Sequence, residues 1–302
     1  NVLWLLSVHN YGTDPLNCQG TLGEKMTSWF SETLSVNDIQ IHYYRTGGEK
    51  PTIVLSHGVT DDGLCWIPVA MALELDYDVI MVDARGHGLS GNPKGDYSVE
   101  ARSADLAGLI KALRLDRPVV MGHSLGAETS LYTAAHYPDL IGGIILEDPP
   151  IVLPGEPIFG GDMDVEKIGV MMVRVMKLFK YLPGFLAKPL ARKMNPGWSD
   201  EELVPWIESK RRVSGDFLSS MKGMDFKSIE LAIFERVTCP AMMIIGDREK
   251  GSIVSLDAAK ETQRYLPELR ISHLPGATHN IRRDQFGTYV KVVRDFLTEI
   301  CV

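Results

Sequence analysis

Val119-Val120-Met121-Gly122-His123-Ser124-Leu125-Gly126, running on through Ala127-Glu128-Thr129 to His136, is the stretch that decides the fold. A β-branched apolar run ends in glycine, a serine follows, and a helical stretch opens at Leu125 and stops ahead of Pro138. G-x-S-x-G between a strand and a helix reads as a strained turn that presents the serine hydroxyl, with small residues on either side so that strand and helix can approach closely. Ser124 is therefore the candidate nucleophile.

Outward from this turn, short apolar runs alternate with helical stretches. Strands are expected at Ile39–Arg45, Thr52–Ser56, Val79–Asp83, Val119–Gly122 and Ile144–Leu146, with helices at Trp66–Leu73, Val99–Leu113 and Leu125–His136. Such alternation specifies an α/β protein with a mostly parallel central sheet flanked by helices. The rhythm breaks after Asp148-Pro149-Pro150 and resumes with strands at Ala241–Ile245 and Leu269–His273, then a final helix at Arg283–Glu299. The intervening stretch is too long for a loop and reads as an inserted helical cap. The expected organisation is a core of 26–149 and 236–302, a cap or lid of 150–235, and an extension of 1–25 that is foreign or peculiar to this chain. The apolar run Val2–Val8 is too short for a membrane span and lacks a basic region before it.

Composition narrows the partners. The 302 residues carry 31 Lys and Arg against 39 Asp and Glu, a net charge of −8, which disfavours nucleic acid. Cys18, Cys65, Cys239 and Cys301 are far apart, so neither a zinc site nor a disulfide framework is suggested, and the expected location is cytoplasmic. No P-loop or dinucleotide fingerprint is found, and neither a cofactor nor a metal is expected. A homodimer is left open by the apolar insertion. A membrane-surface role through Lys177, Lys180, Lys188 and Arg192 is disfavoured, because Pro183 and Gly184 break the segment.

With these motifs in view, residues 33–300 resemble the α/β-hydrolase superfamily, in particular serine carboxylesterase-like members with a helical cap. His57-Gly58 after the TIVLS strand is similar to the family's H-G turn, and Asp83-Ala84-Arg85-Gly86-His87-Gly88-Leu89-Ser90 resembles its buttressing loop. The resemblance implies an oxyanion hole from the backbone amides of Val59 and Leu125. It implies a catalytic histidine at His279, in Gly276-Ala277-Thr278-His279-Asn280, where imidazole can take the serine proton. The family's usual acid lies in Gly246-Asp247-Arg248-Glu249, so Asp247 at the strand end is the preferred third member. Glu249 is an alternative, as are Asp148 and Glu147 after the preceding strand.

The expected activity is hydrolysis of carboxylic esters of medium, hydrophobic small molecules through an acyl-enzyme. Lactonase, thioesterase and carbon–carbon bond hydrolase share the same triad, and a non-catalytic small-molecule receptor is the competing class. Trp66, His123, Met172 and Met176 are candidates for the substrate pocket, methionine being an adaptable apolar wall.

Overall fold

Alternate residues of a strand face opposite sides of a sheet, and here the central strands are buried on both sides. Eight strands form one sheet: β1 (Phe30–Val36), β2 (Ile39–Arg45), β3 (Thr52–Ser56), β4 (Asp78–Val82), β5 (Val119–His123), β6 (Gly143–Glu147), β7 (Ala241–Ile245) and β8 (Arg270–His273). Their spatial order is β1-β2-β4-β3-β5-β6-β7-β8. The β1–β2 and β2–β4 pairs are antiparallel and the rest parallel. The computed structural model describes residues 29–301 except 94, 158–164 and 222–227. The expected extension of 1–25 lies outside the described residues.

On one face Val54, Ile80, Val120, Ile144, Leu146, Met243 and Ile245 meet α2 (Val99–Ala112), α3 (Leu125–His136) and α8 (Leu256–Thr262). On the other, Ile53, Leu55, Met81, Met121, Ile145 and Ile244 meet α1 (Ile67–Leu73) and α10 (Phe286–Ile300). Each such side chain contributes about 1.5–3 kcal/mol on full burial. Between β6 and β7 the chain forms α4 (Val165–Tyr181), α5 (Gly184–Met194), α6 (Asp200–Arg212) and α7 (Gly215–Ser220), and the short α9 (Ile281–Asp284) precedes α10.

The expected sheet is present, with two elements the sequence did not announce. Strand β1, Phe-Ser-Glu-Thr-Leu-Ser-Val, is exposed along most of its length and pairs only with β2, so it carries no alternating apolar signal. Helix α8 is only seven residues long.

Candidate active site

Ser124 sits between β5 and α3 at φ 53° and ψ −114°, a left-handed conformation that an L-residue holds only when its surroundings impose it. Its amide donates to Glu147 O over 2.9 Å. A Cβ at Gly122 would stand 2.1 Å from Gly126 O, and one at Gly126 2.1 Å from Ser56 O, so both flanks of the turn admit only glycine. Leu125 begins α3, where an amide has no intrahelical acceptor.

The His57-Gly58 turn after β3 is organised by hydrogen bonds. His57 Nε2 accepts from the Ala84 amide at 3.0 Å, which leaves Nδ1–H to donate to Gly58 O at 2.8 Å, and Asp61 N–H donates to the same oxygen at 3.0 Å. In a trans peptide the Val59 N–H points away from that twice-bonded carbonyl. The buttressing loop is anchored by Asp83, which accepts from Gly63, Leu89 and His42, and by Arg85, which forks onto Asp105 at 2.7 and 2.8 Å. His87 lies beneath, with its nitrogens 3.1 Å from Arg85 O and 3.0 Å from Val59 O. Burial outweighs those two carbonyls and pushes the imidazole down to about 3.

His279 donates through Nδ1 to Asp148 Oδ2 at 2.6 Å, so a neutral ring keeps its Nε2 lone pair for a proton. Asp148, at φ 43° one residue past β6, is fully buried and also accepts from Ser252 Oγ (2.7 Å), Ile253 N (2.7 Å) and Val254 N (3.0 Å). His123 donates from Nε2 to His279 O at 2.9 Å, and the two rings lie 4.6 Å apart. Burial holds the His123 imidazole well below its ordinary range, so the ring is neutral.

The expectation for Asp247 is corrected by this arrangement. Asp247 accepts from the Gly276 amide at 2.7 Å and contacts His273 Nε2 at 2.8 Å, away from His279. Those contacts, the Gly276 N–H foremost, hold its carboxyl below the ordinary range. Strand β6 adjoins β5, which carries Ser124, whereas β7 lies one strand farther, and the His279 loop comes back over the nearer strand end. Glu249 is exposed in the turn Arg248–Lys250, and Glu147 is turned to Arg282 and Tyr289.

Among the pocket candidates, Met172 and Met176 pack in one cluster with Val59, Leu125, Tyr97, Val173, Phe217 and Leu218. The inserted helices thus cover the two residues whose amides were expected to hold the oxyanion. Trp66 is corrected: it is fully buried in the core of the opposite sheet face, its ring 4.3 Å from the Arg282 guanidinium.

A buried ionic cluster beside the site escaped the sequence reading. Asp61 meets Arg283 at 2.9 Å, Arg282 at 3.0 Å and Lys210 at 3.6 Å. Arg283 continues to Glu202 (3.0 Å), Arg282 to Glu147 (3.2 Å), and Arg212 reaches Asp62 (2.6 Å). Burial alone would raise the Asp61 carboxyl, but Arg283, Lys210 and Arg282 hold it well below the usual carboxylate range. Burial pushes the Lys210 ammonium down to about 8. The available signal was adjacency: Asp61-Asp62 follow the His57-Gly58 turn, and Arg282-Arg283 follow His279.

Known proteins share this framework. Residues 51–166 match the family model described as alpha/beta hydrolase fold. The chain is 26% identical over 257 residues to a 2-(acetamidomethylene)succinate hydrolase of Mesorhizobium japonicum, covering 84% of this chain and 90% of that one. It is 26% identical over 269 residues to an N-formylmaleamate deformylase of Pseudomonas putida, covering 87% and 95%. A solved enol-lactonase from Burkholderia xenovorans superposes with a TM-score of 0.68 at 23% identity, over 88% of this chain and 100% of that one. With the sheet order, the strained serine turn and the matched family model in agreement, the chain has the α/β-hydrolase fold.

Proposed function

We propose that this chain is a serine hydrolase that cleaves an ester or lactone bond in a compact apolar substrate through an acyl-enzyme. The observation that carries the reading is His279 held by Asp148, with its ring 4.6 Å from that of His123, the residue that leads into the strained Ser124 turn, in the chain order Ser, Asp, His that this fold uses. In this scheme Ser124 Oγ attacks the carbonyl carbon while His279 Nε2 takes its proton. The amides of Val59 and Leu125 hold the resulting oxyanion, and the proton passes to the leaving oxygen as the tetrahedral intermediate collapses. Water, deprotonated by His279, then attacks the acyl carbon and releases the acid, with Ser124 reprotonated. Asp148 fixes the Nδ1–H tautomer and offsets the imidazolium charge. The inserted helices act as a cap whose methionines, Met172 and Met176, shape an apolar acyl pocket.

A second reading keeps the same residues in the same roles but breaks a bond other than an ester. The names of the two relatives, a hydrolase of 2-(acetamidomethylene)succinate and a deformylase of N-formylmaleamate, favour it.

A fluorophosphonate probe tests the chemistry common to both. Labelling at Ser124, lost in Ser124→Ala, is expected; folded protein that takes up no label would leave only the receptor class. A panel of esters, lactones, thioesters, N-formyl amides and activated ketones then separates the readings by kcat/KM, with an ester or lactone expected to rank first.

A further inference from the structure

The outer face of α4 and α5 is not accounted for by the site beneath it. Six of the twelve exposed large apolar side chains among the described residues fall here: Met171, Leu178, Tyr181, Phe185, Leu186 and Met194, with Tyr181 and Phe185 each 77% exposed. Met171, Leu178 and Tyr181 recur at helical spacing on the side of α4 opposite Val173, Met176 and Phe179, which are buried. Pro183-Gly184 does not destroy this surface. It makes the corner between the two helices, and that corner is where Tyr181 and Phe185 stand out.

The same thirty residues, 165–194, hold seven Lys and Arg against one Glu in a chain whose net charge is −8. Lys188 and Arg192 share Asp200, and Lys180 donates to Arg211 O and Val213 O at the end of α6, while Lys167, Arg174, Lys177 and Lys193 are exposed. Cations around an apolar, aromatic corner match a surface that is both anionic and apolar beneath. A second copy of the chain fits less well, because a two-fold contact through this face would set basic residues against basic residues.

We propose that the α4–α5 corner docks on an anionic lipid surface, with Tyr181 and Phe185 entering the headgroup boundary and Lys177 and Lys193 facing the lipid charges. Among the described residues no helix is long and apolar enough to cross a membrane, so the contact lies along the surface. The inner face of α4 shares one apolar cluster with Val59 and Leu125, so docking would place the roof of the proposed site against the lipid.

Sedimentation with vesicles of phosphatidylcholine alone, or of phosphatidylcholine with phosphatidylglycerol, tests this. The full chain is expected to bind only the vesicles with phosphatidylglycerol, and less as salt is raised. Lys177→Glu with Lys193→Glu should weaken binding by at least about 25-fold, near five-fold for each charge removed. Tyr181→Ser with Phe185→Ser should weaken it by about ten-fold or more. Thermal unfolding should be unchanged in both, and Ser124→Ala should bind as the parent does. Failure of the parent to bind, or full binding by both double variants, would overturn the proposal. So would a dimer, seen by light scattering, that Phe185→Ser dissolves without any vesicle binding. If Ser124→Ala binds vesicles while the parent takes up no fluorophosphonate, the docking stands and the hydrolase reading falls.

Discussion

His279 and Asp148 lie 131 residues apart in the chain, yet Nδ1 of one and Oδ2 of the other meet at 2.6 Å, and Asp247, the carboxylate nearer in sequence, meets His273 instead.

The first consequence is a division between two aspartates. Asp148→Asn should lower kcat by about 10⁴-fold, because an amide cannot hold the Nδ1–H tautomer or offset the imidazolium charge. Asp247→Asn should leave kcat within a few-fold and act on stability alone. Steady-state kinetics on a p-nitrophenyl ester checks the pair, and the opposite ranking would return the role to Asp247.

The serine turn makes a steric prediction. Gly126→Ala places a methyl 2.1 Å from Ser56 O and 2.7 Å from His57 O, all backbone atoms that cannot yield without moving β3. The expected loss is about 3 kcal/mol or more. Gly197→Ala, with nothing within 4 Å of its added methyl, should change stability by less than about 0.5 kcal/mol in the same urea titration.

Acid should destabilise the fold before the carboxylates titrate. His87 is pushed down to about 3, against an ordinary value of ~6.5, so below the ordinary value the unfolded chain binds a proton that the folded one refuses. Stability is therefore full above about pH 6.5 and falls as pH drops toward the folded value, by about 1.4 kcal/mol per pH unit for that proton. His123, also held neutral by burial, acts in the same direction. In His87→Gln the slope of unfolding free energy between about pH 6.5 and 4.5 should decrease by about one proton. An unchanged slope would mean that His87 is protonated in the fold.

The ionic cluster should respond asymmetrically. Asp61→Ala strips Arg283, Arg282 and Lys210 of their common partner in a buried place, with an expected loss of about 3–5 kcal/mol. Lys210→Met leaves Asp61 with two guanidinium partners and keeps an apolar chain over Trp206, so its effect should be less than half as large. Urea denaturation of the two variants makes the comparison.

Much of this architecture was legible because local signals agreed. The runs TIVLS, VIMV and AMMII are short, apolar and β-branched or methionine-rich, and each became the body of a fully or nearly fully buried strand. The placement of Ser124 between β5 and α3 and of His279 in the loop after β8 was legible because their motifs fix a local turn. Which of Asp247, Glu249, Asp148 and Glu147 pairs with His279 was not, because that depends on which strand end the His279 loop crosses, a property of sheet order that no local spacing encodes. A rigid strand end favours Asp247 at β7 when only local sequence is read, but β6 offers an equally rigid end one strand closer to Ser124. Trp66 was misplaced for a related reason. A tryptophan after the His57-Gly58 turn reads equally well as pocket wall or core, and only the three-dimensional path of Gly63–Ile67 decides.

The charges around Asp61 tie together parts of the chain that lie far apart in sequence. Glu202, Lys210 and Arg212 belong to α6 of the insertion, Asp61 and Asp62 to the loop after the His57-Gly58 turn, and Arg282 and Arg283 to the segment directly behind His279. Four acids, counting Glu147, face four bases, and the balance holds only while α6 stays seated. Any excursion of α6 would leave guanidinium groups stranded in a dry interior just behind His279. Helix α6 and the His279 loop therefore lose their order together, as one cooperative unit, and a lesion in the insertion would be read out as a disordered histidine loop.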